Sequence, residues 1–197
     1  MPRGCAIRIG RWTIKRRSEV VLPWLRGDVL DIGCGWGYLA RFVSEGQCYV
    51  GIDINEEIIS SLKREYMNCP NREFWCVDVD RDIPPDLLFL NSTFDVIALL
   101  AVIEHLRNPR SVLSLSYRLL KNEGLLLITT PTSVGDKISS LINVIAVGTR
   151  ALPCPHMRIF TRESLTALID EVGFQVKTYR KFELGANQLL ICSKRCG

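Results

Sequence analysis

Val29-Leu30-Asp31-Ile32-Gly33-Cys34-Gly35-Trp36-Gly37-Tyr38-Leu39 decides the reading of this chain. An apolar run carries an acid, glycine then recurs at every second position, and a helix-like pattern begins. This order predicts a buried parallel strand over 28–32, a tight turn and a helix over about 36–45. Glycine suits such a turn because it lacks Cβ, tolerates positive φ and lets a ligand lie against bare backbone. A helix N-terminus there would add free N–H donors and partial positive charge. Such a corner suits a nucleotide-like ligand.

Working outward, strands alternate with helices. Strands are expected over 48–53, 73–77 and 94–100. Helices are expected over 55–67, where Asn55 and two early acids suit an N-terminus, and over 109–120. A fifth strand is expected over 124–129, and residues 131–160 form a variable segment. Thr161 then caps a helix near 162–172 that Gly173 ends. Two final strands, 174–183 and 187–193, meet directly across Leu184-Gly185-Ala186. Before the first strand, residues 17–26 read as a short helix with Pro23 near its end. The expected fold is a single α/β domain over 1–197: a mainly parallel sheet with helices on both faces and a closing antiparallel hairpin.

In open α/β sheets, ligands sit beyond the carboxyl ends of the strands, near the topological switch point. Each end here offers a useful group. The first offers Asp31 and the turn of Gly33, Cys34, Gly35 and Gly37. The second offers Asp53, whose two oxygens can accept from a ribose diol. The third offers Asp78, placed to accept from an exocyclic amine, with Ile54 and Val79 available to sandwich a base. A dinucleotide-dependent oxidoreductase shares a glycine turn and a ribose-binding acid. Its G-x-G-x-x-G spacing is not met, because the third glycine, Gly37, comes one residue early.

The chain resembles the class I S-adenosylmethionine-dependent methyltransferases over most of its length. Residues 29–37 resemble the family's first motif, Gly51-Ile52-Asp53-Ile54 its second, and Cys76-Val77-Asp78-Val79 its adenine-contacting motif. Phe94-Asp95-Val96-Ile97 through Val102-Ile103-Glu104-His105-Leu106 resembles the motif at strand four. Residues 119–127 are similar to the helix-turn-strand that usually reads L-K-P-G-G, with Asn122 and Glu123 as departures. The stretch from His156 to Phe174 is similar to the ubiquinone-biosynthesis-like, type 11, small-molecule branch. The resemblance implies a Rossmann-like seven-stranded sheet of order 3-2-1-4-5-7-6 and S-adenosylmethionine as cofactor. It assigns Asp31, Gly33 and Gly35 to the methionine end, Asp53 to the ribose and Asp78 to the adenine, with Leu99 and Leu100 facing the methionyl part. Relatives commonly carry a polar or acidic residue where this chain has Ala101.

The implied activity is methyl transfer to a small-molecule or lipid-like acceptor. A non-catalytic cofactor-binding partner or regulatory subunit is the alternative from another class. The electrophile comes with the cofactor, so the protein chiefly positions the acceptor, and a base helps only an acceptor such as a hydroxyl. The chain has two histidines. His105, after strand four, and His156, in the variable segment, are the candidate bases, and each also has an ordinary structural reading.

Residues 137–162 contain no acid but hold Lys137, Arg150, His156, Arg158 and Arg162. Ile138, Leu141, Ile142 and Ile145 share one helical face there. Such a segment reads either as a lid packed on its own domain or as a cap for an apolar or anionic acceptor that touches a membrane surface. Net charge is +4. Residues 1–17 hold six basic residues and no acid, leaving 19 basic against 21 acidic in the rest. This basic arm reads as a solvated terminus or as a contact for an anionic partner; no stable nucleic-acid partner is expected. The arm lacks the apolar core of a signal peptide, and the chain shows no apolar window long enough to span a bilayer. The eight cysteines show no C-x-x-C pair and the histidines are few, so no metal site is expected. Free thiols in a reducing cytoplasm are the expectation, with Cys192 and Cys196 the place to look for a disulfide.

Overall fold

The computed structural model describes residues 15–81, 83, 87, 92–136 and 157–195. The N-terminal arm before residue 15, the apolar stretch 137–150, His156 and Cys196 lie outside these. Seven strands form one sheet: β1 (Val29–Ile32), β2 (Tyr49–Asp53), β3 (Arg72–Cys76), β4 (Phe94–Leu100), β5 (Leu120–Pro131), β6 (Phe174–Phe182) and β7 (Asn187–Lys194). Their spatial order is β3-β2-β1-β4-β5-β7-β6. β3 through β5 run parallel, and β7 pairs antiparallel with both β5 and β6. The order reverses between β1 and β4, which places the switch point at the carboxyl end of β1.

Alternation along the strands divides the core between the two sheet faces. Leu30, Ile32, Ile52, Ile97 and Leu99 belong to one cluster with Leu113 of α2 (Pro109–Leu119) and Leu165 and Ile169 of α3 (Arg162–Val172). Val29, Tyr49, Phe74, Val96 and Ala98 belong to the other with Ile59 and Leu62 of α1 (Glu56–Glu65). These three helices, α1, α2 and α3, begin on side-chain caps: Asn55 accepts from Ile58 N–H, Asn108 from Ser111 N–H and Thr161 from Ser164 N–H. Ser164 also accepts from the Thr161 N–H at 3.0 Å, so a serine completes the capping box where a glutamate is usual. Gly173 ends α3 at φ +101°.

Three local expectations are corrected. No α-helix forms over 36–45; only a 3-10 turn, Leu39–Arg41, follows the glycines. Gly33, Gly35 and Gly37 all take positive φ (71°, 48° and 62°), so the chain is spent on successive left-handed bends before a helix can propagate. The donors over this corner are therefore turn N–H groups, not a helix terminus. Second, β5 begins at Leu120 and absorbs the expected turn. Leu120 pairs with Phe94 and Leu125 with Val96, so the intervening residues form an irregularity in the ladder. Third, residues 17–26 are helical only to residue 19, and Leu22–Trp24 is a 3-10 turn with Pro23 inside it. No helix of the described residues is long and apolar enough to cross a membrane.

Candidate active site

β1, β2 and β3 end side by side. The Gly33 and Cys34 N–H groups both donate to the carbonyl of Ile52, at 2.7 and 2.9 Å, which folds the turn back over β2. Gly33 is required twice: its φ is positive, and a Cβ there would come within 2.3 Å of Val102 Cγ2. Gly35 differs. A Cβ on it would meet nothing within 4 Å, so bare backbone faces open space above the turn. Gly37 packs inward, with Leu62 2.9 Å from where its Cβ would stand.

Asp53 is half-buried and held from both sides: Oδ2 accepts from Gly35 N–H and Oδ1 from Asn55 N–H, each at 2.9 Å. Two fixed donors orient the carboxylate, and each oxygen keeps a second lone pair for a ligand. Asp31 is buried, and the Tyr49 hydroxyl donates to its Oδ2 at 2.8 Å. Burial pushes the Asp31 carboxyl up to about 7, the Tyr49 hydrogen bond opposes this, and the charge of Asp53 adds to it. Cys34, buried beside both acids, has its thiol pushed up by burial and by their negative charge.

The other expected residues are distributed unevenly. Ile54 is 66% exposed at the mouth of the corner. Val79 is half-buried and packs against the core. Asp78 accepts from Asp80 N–H at 3.1 Å and faces Arg81 Nε at 3.6 Å, so part of its capacity serves its own loop. Leu99 is fully buried in the core. Leu100 is half-buried on the opposite sheet face. Ala101 turns the chain at φ +58°, donating to Thr129 O at 2.8 Å. His105 ends the 3-10 turn Ile103–His105, half-buried just past β4.

Sequence reasoning missed a polar cluster along the carboxyl edge of β4 and β5. Glu104 is buried and its Oε2 accepts from Thr130 Oγ1 at 2.9 Å. Its carbonyl accepts from Met157 N–H (3.0 Å) and Arg158 N–H (3.3 Å). Arg17 donates through Nε and Nη2 to Asn187 Oδ1 at 3.2 and 3.0 Å. Burial lowers the guanidinium pKa, and the charges of Glu104 and Glu183 oppose that. Asp80 accepts from Arg107 N–H (2.8 Å) and Asn108 N–H (3.1 Å), tying the loop after β3 to the start of α2. Periodicity could not reveal these pairs, since Arg17 and Asn187 lie 170 positions apart.

The corner fits an adenosyl ligand: an open backbone face at Gly35, an oriented carboxylate at Asp53, an apolar side chain at Ile54 and an acid at Asp78. A shallow cleft of about 320 Å³ beside the outer edge of β3, lined by residues such as Lys63, Tyr66, Met67 and Trp75, lies away from the strand ends and lacks this pairing of acid and bare turn.

The family described as "Methyltransferase domain" matches residues 14–179. A Mycolicibacterium smegmatis protein named "Probable S-adenosylmethionine-dependent methyltransferase" is 27% identical over 169 residues, covering 82% of this chain and 59% of that protein. A ubiquinone biosynthesis O-methyltransferase of Glaesserella parasuis is 32% identical over 104 residues, 52% of this chain and 44% of the relative. The chain thus spans about half the length of the curated relatives it matches. Among solved structures, the Burkholderia thailandensis 1,6-didemethyltoxoflavin-N1-methyltransferase, with bound 1,6-didemethyltoxoflavin and S-adenosylhomocysteine, superposes with TM-score 0.70 at 16% identity. That match covers 99% of this chain and 83% of the other, and it shows the shared fold. From the family match, the sheet order and the bare turn with its acids, the chain belongs to the class I S-adenosylmethionine-dependent methyltransferases.

Proposed function

We propose that this chain transfers the methyl group of S-adenosylmethionine to a small-molecule or lipid-like acceptor. One observation carries the reading. Bare backbone at Gly35 is hydrogen-bonded to the Asp53 carboxylate, beside the switch point of the sheet. In this reading Gly33, Cys34, Gly35 and Gly37 shape the floor, with Asp31 serving the methionine end. Asp53 takes the ribose hydroxyls, and Ile54, Asp78 and Val79 border the adenine. Leu100 borders the methionyl part. When bound, the cofactor supplies an electrophilic methyl, so the residues around the site align an acceptor and keep water away. His105, just past β4, is the described residue best placed by sequence and fold to take a proton from a hydroxyl acceptor. His156 is the second such candidate and lies outside the described residues.

The printed name of one relative, a ubiquinone biosynthesis O-methyltransferase, supports a small acceptor. The buried polar cluster of Glu104, Thr130, Arg17 and Asn187 lies at the same edge of the sheet, next to β4, and would form part of the acceptor side. The lack of acid over 137–162 favours an apolar or anionic acceptor.

The test is calorimetry with S-adenosylmethionine, S-adenosylhomocysteine and NAD, followed by incubation of methyl-labelled cofactor with a metabolite extract. Saturable binding of the two adenosyl compounds, none of NAD, and label in the organic-extractable fraction are expected. Binding without transfer to any fraction would point to a regulatory subunit, and label confined to protein or RNA would contradict the acceptor class.

A further inference from the structure

Tyr49 opens β2 two residues before Gly51, on the sheet face that it shares with Asp31. Its ring is fully buried, tilted against Phe74 with centroids 5.7 Å apart. Gly51 makes the room: a Cβ there would stand 2.9 Å from Tyr49 Cε1 and 3.0 Å from Cys34 Sγ. The phenol thus lies along the place of a missing side chain, and its hydroxyl reaches Asp31 beneath the glycine turn. A buried tyrosine hydroxyl needs a partner, and an apolar residue would fill this slot without that demand.

We propose that Tyr49 is a positioning residue that fixes the Asp31 carboxylate, through the 2.8 Å hydrogen bond from its hydroxyl, for the positively charged end of S-adenosylmethionine. The inference rests on the reading of the corner as the cofactor site. The titratable groups acting on Asp31 are Tyr49 and Asp53 of β2 and Cys34 of the turn, with Tyr66, past the end of α1, behind Tyr49. The negative charge of Asp53 opposes ionisation of Asp31; the Tyr49 hydroxyl favours it. Without a nearby cation Asp31 sits near half-protonation at pH 7. A cation at the methionine end would draw the proton off, so binding releases it, and S-adenosylhomocysteine, lacking the sulfonium charge, releases less.

The experiment is calorimetric titration of wild type, Tyr49→Phe, Asp31→Asn and the double variant between pH 5.5 and 9, in buffers of different ionisation enthalpy. The carboxyl resonance of Asp31 is followed in the ligand-free protein as a second readout. Tyr49→Phe is expected to raise the midpoint by about one pH unit, weakening S-adenosylmethionine roughly fivefold at pH 7 and little at pH 9. Asp31→Asn is expected to flatten the profile, and adding Tyr49→Phe to it should change nothing further. An unchanged midpoint in Tyr49→Phe, in both the binding profile and the ligand-free titration, overturns the role of Tyr49. So does a pH dependence that persists in Asp31→Asn. Failure of wild type to bind the cofactor at any pH overturns the reading of the corner, and this inference with it.

Discussion

Gly35→Ala is expected to abolish most cofactor binding while costing the fold only the strain of its backbone angle, and Gly33→Ala to destabilise the protein more strongly. Both positions have positive φ, so an alanine pays strain of roughly 1–2 kcal/mol at either. Only their surroundings differ. At position 33 the new methyl would stand 2.3 Å from Val102 Cγ2, a contact that must push the segment after β4 away from the turn. Overpacking of that kind adds about 1–3 kcal/mol, for a total near 3 kcal/mol. At position 35 the methyl meets no protein atom within 4 Å, and in the proposed reading it would occupy the space of the ligand. Urea denaturation and cofactor titration on the two variants separate these effects. A folded Gly35→Ala protein that still binds S-adenosylmethionine normally would remove Gly35 from the site.

Asp31→Asn carries the second large effect, a gain in stability set against a loss of binding. Asp31 is raised from an ordinary 3.8 to about 7 by burial. Its neutral form is therefore the one the fold prefers. The associated stability is fully present below about pH 4, is lost as pH rises through 7, and stays lost above. The rise from 3.8 to about 7 corresponds to roughly 4 kcal/mol. Asparagine stays neutral and can still accept from Tyr49, but its amide adds buried donors that cost part of the benefit. The net expectation is about 2 kcal/mol of added stability at pH 8, about 2 kcal/mol of lost stability at pH 4, where the wild-type carboxyl is already neutral, and a shallower dependence between. Thermal unfolding across this range checks it, and equal pH slopes for variant and wild type would contradict the burial of a titrating carboxyl at this position. The same substitution should weaken S-adenosylmethionine, a cost to function for a gain in fold.

Much of this architecture was legible in advance because it is written locally. Apolar runs ending in acids located β1, β2 and β3, and Asn55, Thr161 and Gly173 marked helix ends that the chain uses. The order of the seven strands came from the resemblance and is the order found. The failures share a cause: they depend on partners distant in sequence or on backbone angles that composition does not reveal. The helix expected after the glycines gave way to bends because three left-handed residues in five leave no run to propagate. The Lys121-Asn122-Glu123-Gly124 turn was drawn into β5 because Leu120 found Phe94 across the sheet. In the site, the acid-bearing strand ends were readable. The burial of Leu99, the engagement of Asp78 by its own loop, the Tyr49–Asp31 hydrogen bond and the Glu104–Thr130 pair were not. Each of these needs the register of neighbouring strands or the path of a loop. Ala101 lies between the two cases: its departure from the family pattern was visible, but its φ of +58° was not.

A crystal structure of the protein with S-adenosylhomocysteine tests the assignment of the corner most directly. The expected density lies over residues 33–37 beyond the carboxyl ends of β1, β2 and β3. The ribose hydroxyls should face Asp53, and the adenine should lie between Ile54 and the Asp78 loop. Density in the cleft beside the outer edge of β3, or a ligand that leaves Asp53 bonded only to Gly35 and Asn55, would contradict it.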